Sequence, residues 1–293
     1  MKRGMFWGVL FFLCAPIIVF SQTKIDIVGS IEWEQMEIKA SVMVNLASVG
    51  IRLPAGRIHG EEIISDEYPH LVRPLLLSIP VDSSSTLGDL LNRGEFTLLG
   101  TDRISLSAQK VPPTLSINLA VMSAHYTVNL NKLSASLLQH SRPKDAMRVL
   151  IPAPVASYTG IIIIANDEMP IHGRNTSTYA MPCIFPKVWD TEMNLIYERN
   201  MIDPDLVHTM VRYVSPNNIF QTNPSGLDED LKKLVGDNPL RIIARGVFGI
   251  RPTDPIIDRE DALLIISSEN NRRLLREGKV AIVLNREVLS TSF

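Results

Sequence analysis

The chain has 293 residues, with 29 Lys and Arg against 31 Asp and Glu, a formal charge of −2 and 45% hydrophobic residues. This near balance of charge gives no electrostatic footprint for nucleic acid or for an anionic membrane surface. The length and composition suit a globular protein of one or two domains with a substantial core.

Lys2 and Arg3 precede an apolar run from Met5 to Phe20, and Val19 and Ser21 stand at the −3 and −1 positions ahead of Gln22. A basic start, an apolar middle and small or β-branched residues at the end are the pattern of a secretory signal peptide. Residues 1–21 are therefore expected to be a leader, and the mature protein to be exported to the periplasm or cell envelope. The run is short for a bilayer span and contains Pro16, which favours cleavage over a retained anchor. Lipidation at Cys14 is the rival reading; Leu13 is bulky for the residue before a lipidated cysteine. Without Lys2 and Arg3 the chain keeps 27 basic residues against 31 acidic, a charge of −4, and Cys183 as its remaining cysteine. An internal disulfide is then impossible. The setting of Cys183, Met181-Pro182-Cys183-Ile184-Phe185, reads as a small buried hydrophobe, with a reactive thiol as the alternative.

From residue 24 to 28, and again from 36 to 46, apolar residues alternate as in half-buried strands. Residues 55–77 carry helical spacing at Ile58, Ile63, Ile64, Leu71, Val72 and Leu75, with Pro69 and Pro74 expected to break or kink the helix. Thr86-Leu87-Gly88-Asp89 has the spacing of a capping box, and Gly94 is placed to end the helix that follows. The Asp82 to Ser85 stretch before it reads as a polar capping turn. A second long strand is expected from 115 to 130, a candidate partner for the strand at 36–46.

The polar, proline-containing stretch 139–148 is the predicted boundary between two halves, each packed around its own core. In the second half, unbroken β-branched and apolar runs at 158–165, 180–185, 241–248 and 279–284 predict strands buried on both faces. Helices are expected at 259–266 and 269–276, with Gly278 just past the end. The predicted fold class is α/β (α+β): mixed β-sheets packed with helices in two subdomains, 22–145 and 146–293, after the leader.

The six histidines, His59, His70, His125, His140, His172 and His208, include no His-x-x-x-His pair, and no cysteine pair supports zinc. Neither a metal nor a cofactor is predicted, and the glycines near 246–249 lack a phosphate-loop spacing. Two polar clusters carry the remaining chemistry. Asp167, Glu168 and His172 follow directly on the Ile161 to Ile164 run, where α/β proteins place ligand sites, and are the acid–base candidates if the protein is an enzyme. Arg245, Arg251 and Asp254, with Asp258 and Asp261, are candidates for ligand binding, set against a reading as solvated turn and N-cap ion pairs.

Tyr158-Thr-Gly-Ile-Ile-Ile, the Pro-x-Ile-Phe segment with Tyr197 beyond it, Asn238-Pro-Leu-Arg-Ile-Ile-Ala-Arg-Gly, Asp261-Ala262 and Lys279-Val-Ala-Ile-Val-Leu resemble a group of largely uncharacterised secreted envelope proteins of spirochaetes. More distantly, the arrangement is similar to outer-membrane lipoproteins that build the disk around some flagellar motors. The resemblance covers about residues 155 to 285 and lies in strand and turn residues, without a catalytic motif. It implies a non-enzymatic envelope protein that acts through assembly with itself or with other envelope proteins, such as a flagellar motor accessory. The alternative is an envelope hydrolase or small-ligand binder using the loop after the Ile161 to Ile164 strand.

Overall fold

The computed structural model describes residues 25–149, 154–206, 209–221 and 226–293. The expected leader, Cys14 and His208 lie outside them. The first half opens with β1 (Ile25–Glu32) and β2 (Glu37–Asn45), then α1 (Arg57–Ser78), α2 (Leu87–Asn92) and α3 (Leu98–Leu106). Short strands β3 (Gln109–Lys110) and β4 (Thr114–Leu115), the long β5 (Val121–Asn129) and α4 (Leu130–Leu137) complete it. β2 and β5 pair antiparallel along their whole lengths, Glu37 opposite Asn129 and Asn45 opposite Val121, as their alternation suggests. The run expected at 115–130 is divided by a turn, where Ser116 receives the Val121 N–H and Leu119 takes a φ of 57°.

Ile38, Ala40, Val42 and Val44 of β2 and Met122, Ala124, Tyr126 and Val128 of β5 share the buried face. The buried stripe of α1, Gly60, Ile64, Tyr68, Val72 and Leu76, meets it, and the Tyr68 and Tyr126 rings stack at 3.7 Å. α1 runs continuously through Pro69 and Pro74, contrary to the expected break. Each proline removes one helical N–H, and the carbonyls so released belong to Ser65 and His70, both exposed residues. The four-residue repeat of buried side chains holds the axis in place. α2 begins at the expected capping box, with Thr86 Oγ1 accepting the Asp89 N–H and the Asp89 carboxylate accepting the Thr86 N–H.

The second half begins with β6 (Ile161–Ala165), the hairpin β7 (Met169–Pro170) and β8 (Ser177–Thr178), then β9 (Val188–Asp190), β10 (Leu195–Tyr197) and β11 (Arg212–Val214). α5 (Glu229–Val235), β12 (Leu240–Ile243), β13 (Gly246–Phe248) and β14 (Asp254–Ile257) follow. The chain ends with α6 (Arg259–Ile266), α7 (Glu269–Arg276), β15 (Val280–Leu284), α8 (Arg286–Leu289) and β16 (Ser290–Ser292). β11, β15, β6 and β12 form, in that order, a wholly parallel sheet. Ile162, Val214, Ala281 and Val283 pack with Leu231 and Val235 of α5, whereas Ile161, Ile163 and Ile282 share a cluster with Ile265 and Leu274 of α6 and α7. Each of these buried Val, Leu and Ile side chains contributes roughly 1.5–3 kcal/mol of burial. Gly160 lets α5 come this close, since a Cβ there would meet the Val235 backbone at 2.5 Å. A third, mixed sheet has the order β10-β9-β14-β13.

Two expected strands take other forms. Residues 180–185, buried except for Met181, form no strand. Pro182 and Pro186 lack N–H donors, so the segment cannot carry a regular ladder. Its remaining amides bond one at a time: Ile184 N–H to Pro80 O at 3.0 Å, Phe185 N–H to Val81 O at 2.8 Å, and Met181 N–H to Pro252 O at 2.8 Å. The run at 241–248 is cut at Ala244-Arg245 into β12 and β13, which belong to different sheets. The two halves also share buried side chains and one sheet. One buried cluster runs from Ile38 and Leu76 through Phe185 to Ile163 and Ile282, and the C-terminal β16 pairs with β1 in the first sheet.

Candidate functional site

The loop leaving β6 carries Asp167 and Glu168 into the β7–β8 hairpin, whose turn holds His172. All three side chains are exposed. Asp167 accepts a hydrogen bond from Asn166 Nδ2 at 3.1 Å, and the His172 N–H donates to Val247 O at 2.8 Å. The His172 ring lies 6.0 Å from that of Phe248, beside a shallow depression of about 210 Å³ that it shares with Arg245 and Ile256. Among the described residues no ion pair or hydrogen bond joins His172 to Asp167 or Glu168. The loop displays polar groups without converging them.

Arg245, Arg251 and Asp254 also fail to converge. Arg245 Nε pairs with Asp258 at 2.7 Å, an exposed contact worth about 0–1 kcal/mol. Arg251 belongs to a turn whose N–H donates to Ser83 O at 2.9 Å. Asp254, expected at the solvated strand exit, is instead fully buried at the start of β14, a strand buried along its whole length. Its carboxylate accepts the Lys187 N–H at 3.1 Å and the Thr253 hydroxyl at 3.0 Å. Burial pushes this carboxyl above the usual range despite those bonds.

Asp190 is the buried carboxylate of the opposite kind. Oδ1 accepts the N–H groups of Glu192 and Asn194 at 3.0 and 2.8 Å, and Oδ2 accepts Asn194 Nδ2 at 2.9 Å and Arg259 at 2.8 Å. Burial alone raises this group, but the Asn194, Arg259 and Glu192 hydrogen bonds outweigh it and hold the carboxyl below its ordinary value. The sequence signal was available, an Asp heading the polar turn Asp190-Thr-Glu-Met-Asn194. Cys183 is enclosed: its N–H donates to Tyr213 Oη at 3.1 Å, and that hydroxyl donates back to Cys183 O at 2.9 Å. Burial first, and then the charge of Asp254, push the thiol far up, so it is a packed and unreactive group.

One groove was not marked by any motif. Of about 640 Å³, it runs along β11, lined by the consecutive residues Val211 to Val214. β15 is the strand partner of β11, and among the described residues no strand lies on its other side. The far wall is the β1–β2 turn at Glu34 to Met36 together with Asn131 at the start of α4. The floor beside α5 carries Asp228 and Asp230. At one end the Glu34 carboxylate accepts the Ser215 N–H at 2.8 Å, in the place where a neighbouring strand would offer a carbonyl. Arg212 reaches along the groove to donate to Asp230 O at 3.3 Å.

Two family models match the chain, in order. Residues 24–136 match the N-terminal domain of Treponema pallidum Tp0624, and residues 160–286 match its second domain. Both halves are thus similar to a spirochaete protein family. No curated protein matches the chain. Glu34 and Asn131 come from the segment similar to the Tp0624 N-terminal domain, Arg212 and Asp230 from the segment similar to its second domain, so the groove is a junction of the two. Its residues are scattered over some two hundred positions of sequence, and no local pattern could have assembled them.

Proposed function

We propose that this protein is a non-enzymatic assembly protein of the periplasm or cell envelope, working through contacts with other envelope proteins or with itself. The observation that carries the reading is the pair of outer edges of the parallel sheet, on which no further strand lies among the described residues. β11 and β12 are its outermost strands, and β12 exposes Ile243 at 58% on its outer side. Unpaired strand edges are templates for another chain, and proteins that do not use them usually cover or charge them. The polar loop at Asp167, Glu168 and His172 supports the same reading, because its groups face solvent separately and share no concave site. Export is supported by the residues of the leader, and the narrower role of flagellar motor accessory by the resemblance of the sequence.

The test is cross-linking in intact cells followed by mass spectrometry of the envelope fraction. It should find the mature N-terminus near Gln22 and cross-links of fixed stoichiometry to defined envelope proteins or to a second copy. A solitary monomer, together with an activity abolished by His172→Ala at unchanged stability, overturns the proposal.

A further inference from the structure

We infer that the groove beside β11 receives an extended, basic segment of a partner polypeptide as an added strand. The inference rests on the assembly reading and specifies which edge is used and what chemistry fills it. The three residues of β11 and the adjoining Val211 line the groove, so a strand edge runs along its wall. A strand edge gives an extended peptide a ladder of hydrogen bonds independent of its sequence, with side chains supplying selectivity. The volume suits a short segment rather than a folded domain.

Charge selects the occupant. Glu34, Asp228 and Asp230 line the groove against the single guanidinium of Arg212. The positive end of α5 faces the same space, but Asp228 at its N-cap and Glu229 and Asp230 in its first turn offset it. Asp230 also holds Lys233 at 2.8 Å and Arg212 donates to the Asp230 carbonyl, which leaves Glu34 and Asp228 without an ion pair among the described residues. A segment with Lys or Arg at alternate positions would present its cations to these carboxylates while its backbone pairs with β11.

The test uses the full chain and a labelled eight-residue peptide of alternating lysine and threonine, followed by fluorescence anisotropy. Saturable binding below about 1 mM is expected, weakening as salt rises. The glutamate–threonine counterpart, and a lysine–threonine peptide N-methylated at alternate residues, should each bind about tenfold more weakly. The triple variant Glu34→Gln, Asp228→Asn, Asp230→Asn should lose about tenfold in affinity while still unfolding in a single cooperative transition. Amide exchange at residues 211–214 should slow when the lysine peptide is bound. Absence of saturable binding, or equal binding by either control peptide, overturns the inference. Occupancy by a second copy, seen as a dimer in sedimentation that excludes the peptide, also overturns it. If the peptide fails while the envelope cross-links persist, the groove inference falls and the assembly reading stands; if the cross-links are missing as well, both fall.

Discussion

Replacing Asp190 by asparagine tests the most heavily bonded carboxylate of the fold. Its two oxygens have different duties: Oδ1 takes the turn amides of Glu192 and Asn194, while Oδ2 takes Arg259 and the Asn194 side chain. In Asp190→Asn an amide that keeps its oxygen on the turn amides points its NH2 at two donors. The loss therefore combines a charge-assisted hydrogen bond, about 1.5–3 kcal/mol, with a guanidinium left unpaired. Arg259 is 38% exposed, so water recovers part of the second cost. The net destabilisation should be about 2–3 kcal/mol, which for a chain of this size is a fall of about 3–6 °C in Tm.

Urea denaturation at several pH values reads it. The folded carboxyl lies below its ordinary value of 3.8, so the stabilisation is complete above that pH and is lost as pH falls through the folded value. The deficit of the variant should be constant near neutrality and narrow below about pH 3.8. Adding Arg259→Met to Asp190→Asn should recover about 1 kcal/mol by removing the stranded charge. A single variant within about 0.5 kcal/mol of the parent, or a deficit indifferent to pH, refutes the reasoning.

Thr86→Ala removes the hydroxyl that caps α2 and should cost about 1 kcal/mol, measurable as a shift in urea midpoint at constant m-value. Gly160→Ala drives a methyl into the Val235 backbone and should cost about 1–3 kcal/mol, with faster amide exchange in α5 than in α1 as its local signature. Asp254 is opposite in sign to Asp190: its raised folded value means that its ionisation on burial weakens the fold as pH climbs above 3.8, so Asp254→Asn should flatten that part of the stability profile. His172→Ala should leave stability within about 0.5 kcal/mol and leave assembly intact, as judged by the cross-linking pattern.

What was legible in the sequence is what local chemistry decides. The capping box at Thr86 and Asp89 reports itself within four residues, and the alternation of β2 and β5 allowed their pairing to be anticipated. The parallel strands β6 and β15 announced burial on both faces through runs of Ile and Val. Misreadings arose where a distant partner overrules the local pattern. Pro69 and Pro74 are tolerated because a buried stripe fixes α1 and the freed carbonyls belong to exposed residues. The apolar run at 180–185 is no strand because its amides are claimed by Pro80, Val81, Tyr213 and Pro252. Asp254 looked like a turn residue, and only the packing of β14 shows that it is enclosed. The groove was invisible for a stricter reason: Glu34, Asn131, Arg212 and Asp228 have no sequence relation, and their meeting is a property of how the two halves join.

The pairing of β16 with β1 sets a condition on the order in which this protein is completed. Ser290 Oγ reaches Glu32 Oε1 at 2.9 Å across 258 positions of sequence. The outer border of the first sheet is therefore closed only when β16, made long after β1, folds back onto it. Until then β1 is a raw edge open to neighbouring molecules. Replacing Ser290 to Ser292 by residues that cannot pair would recreate that state permanently while sparing every strand of the parallel sheet. Such a variant should reveal itself through association and slow, non-local folding before any loss in the interior of the second half.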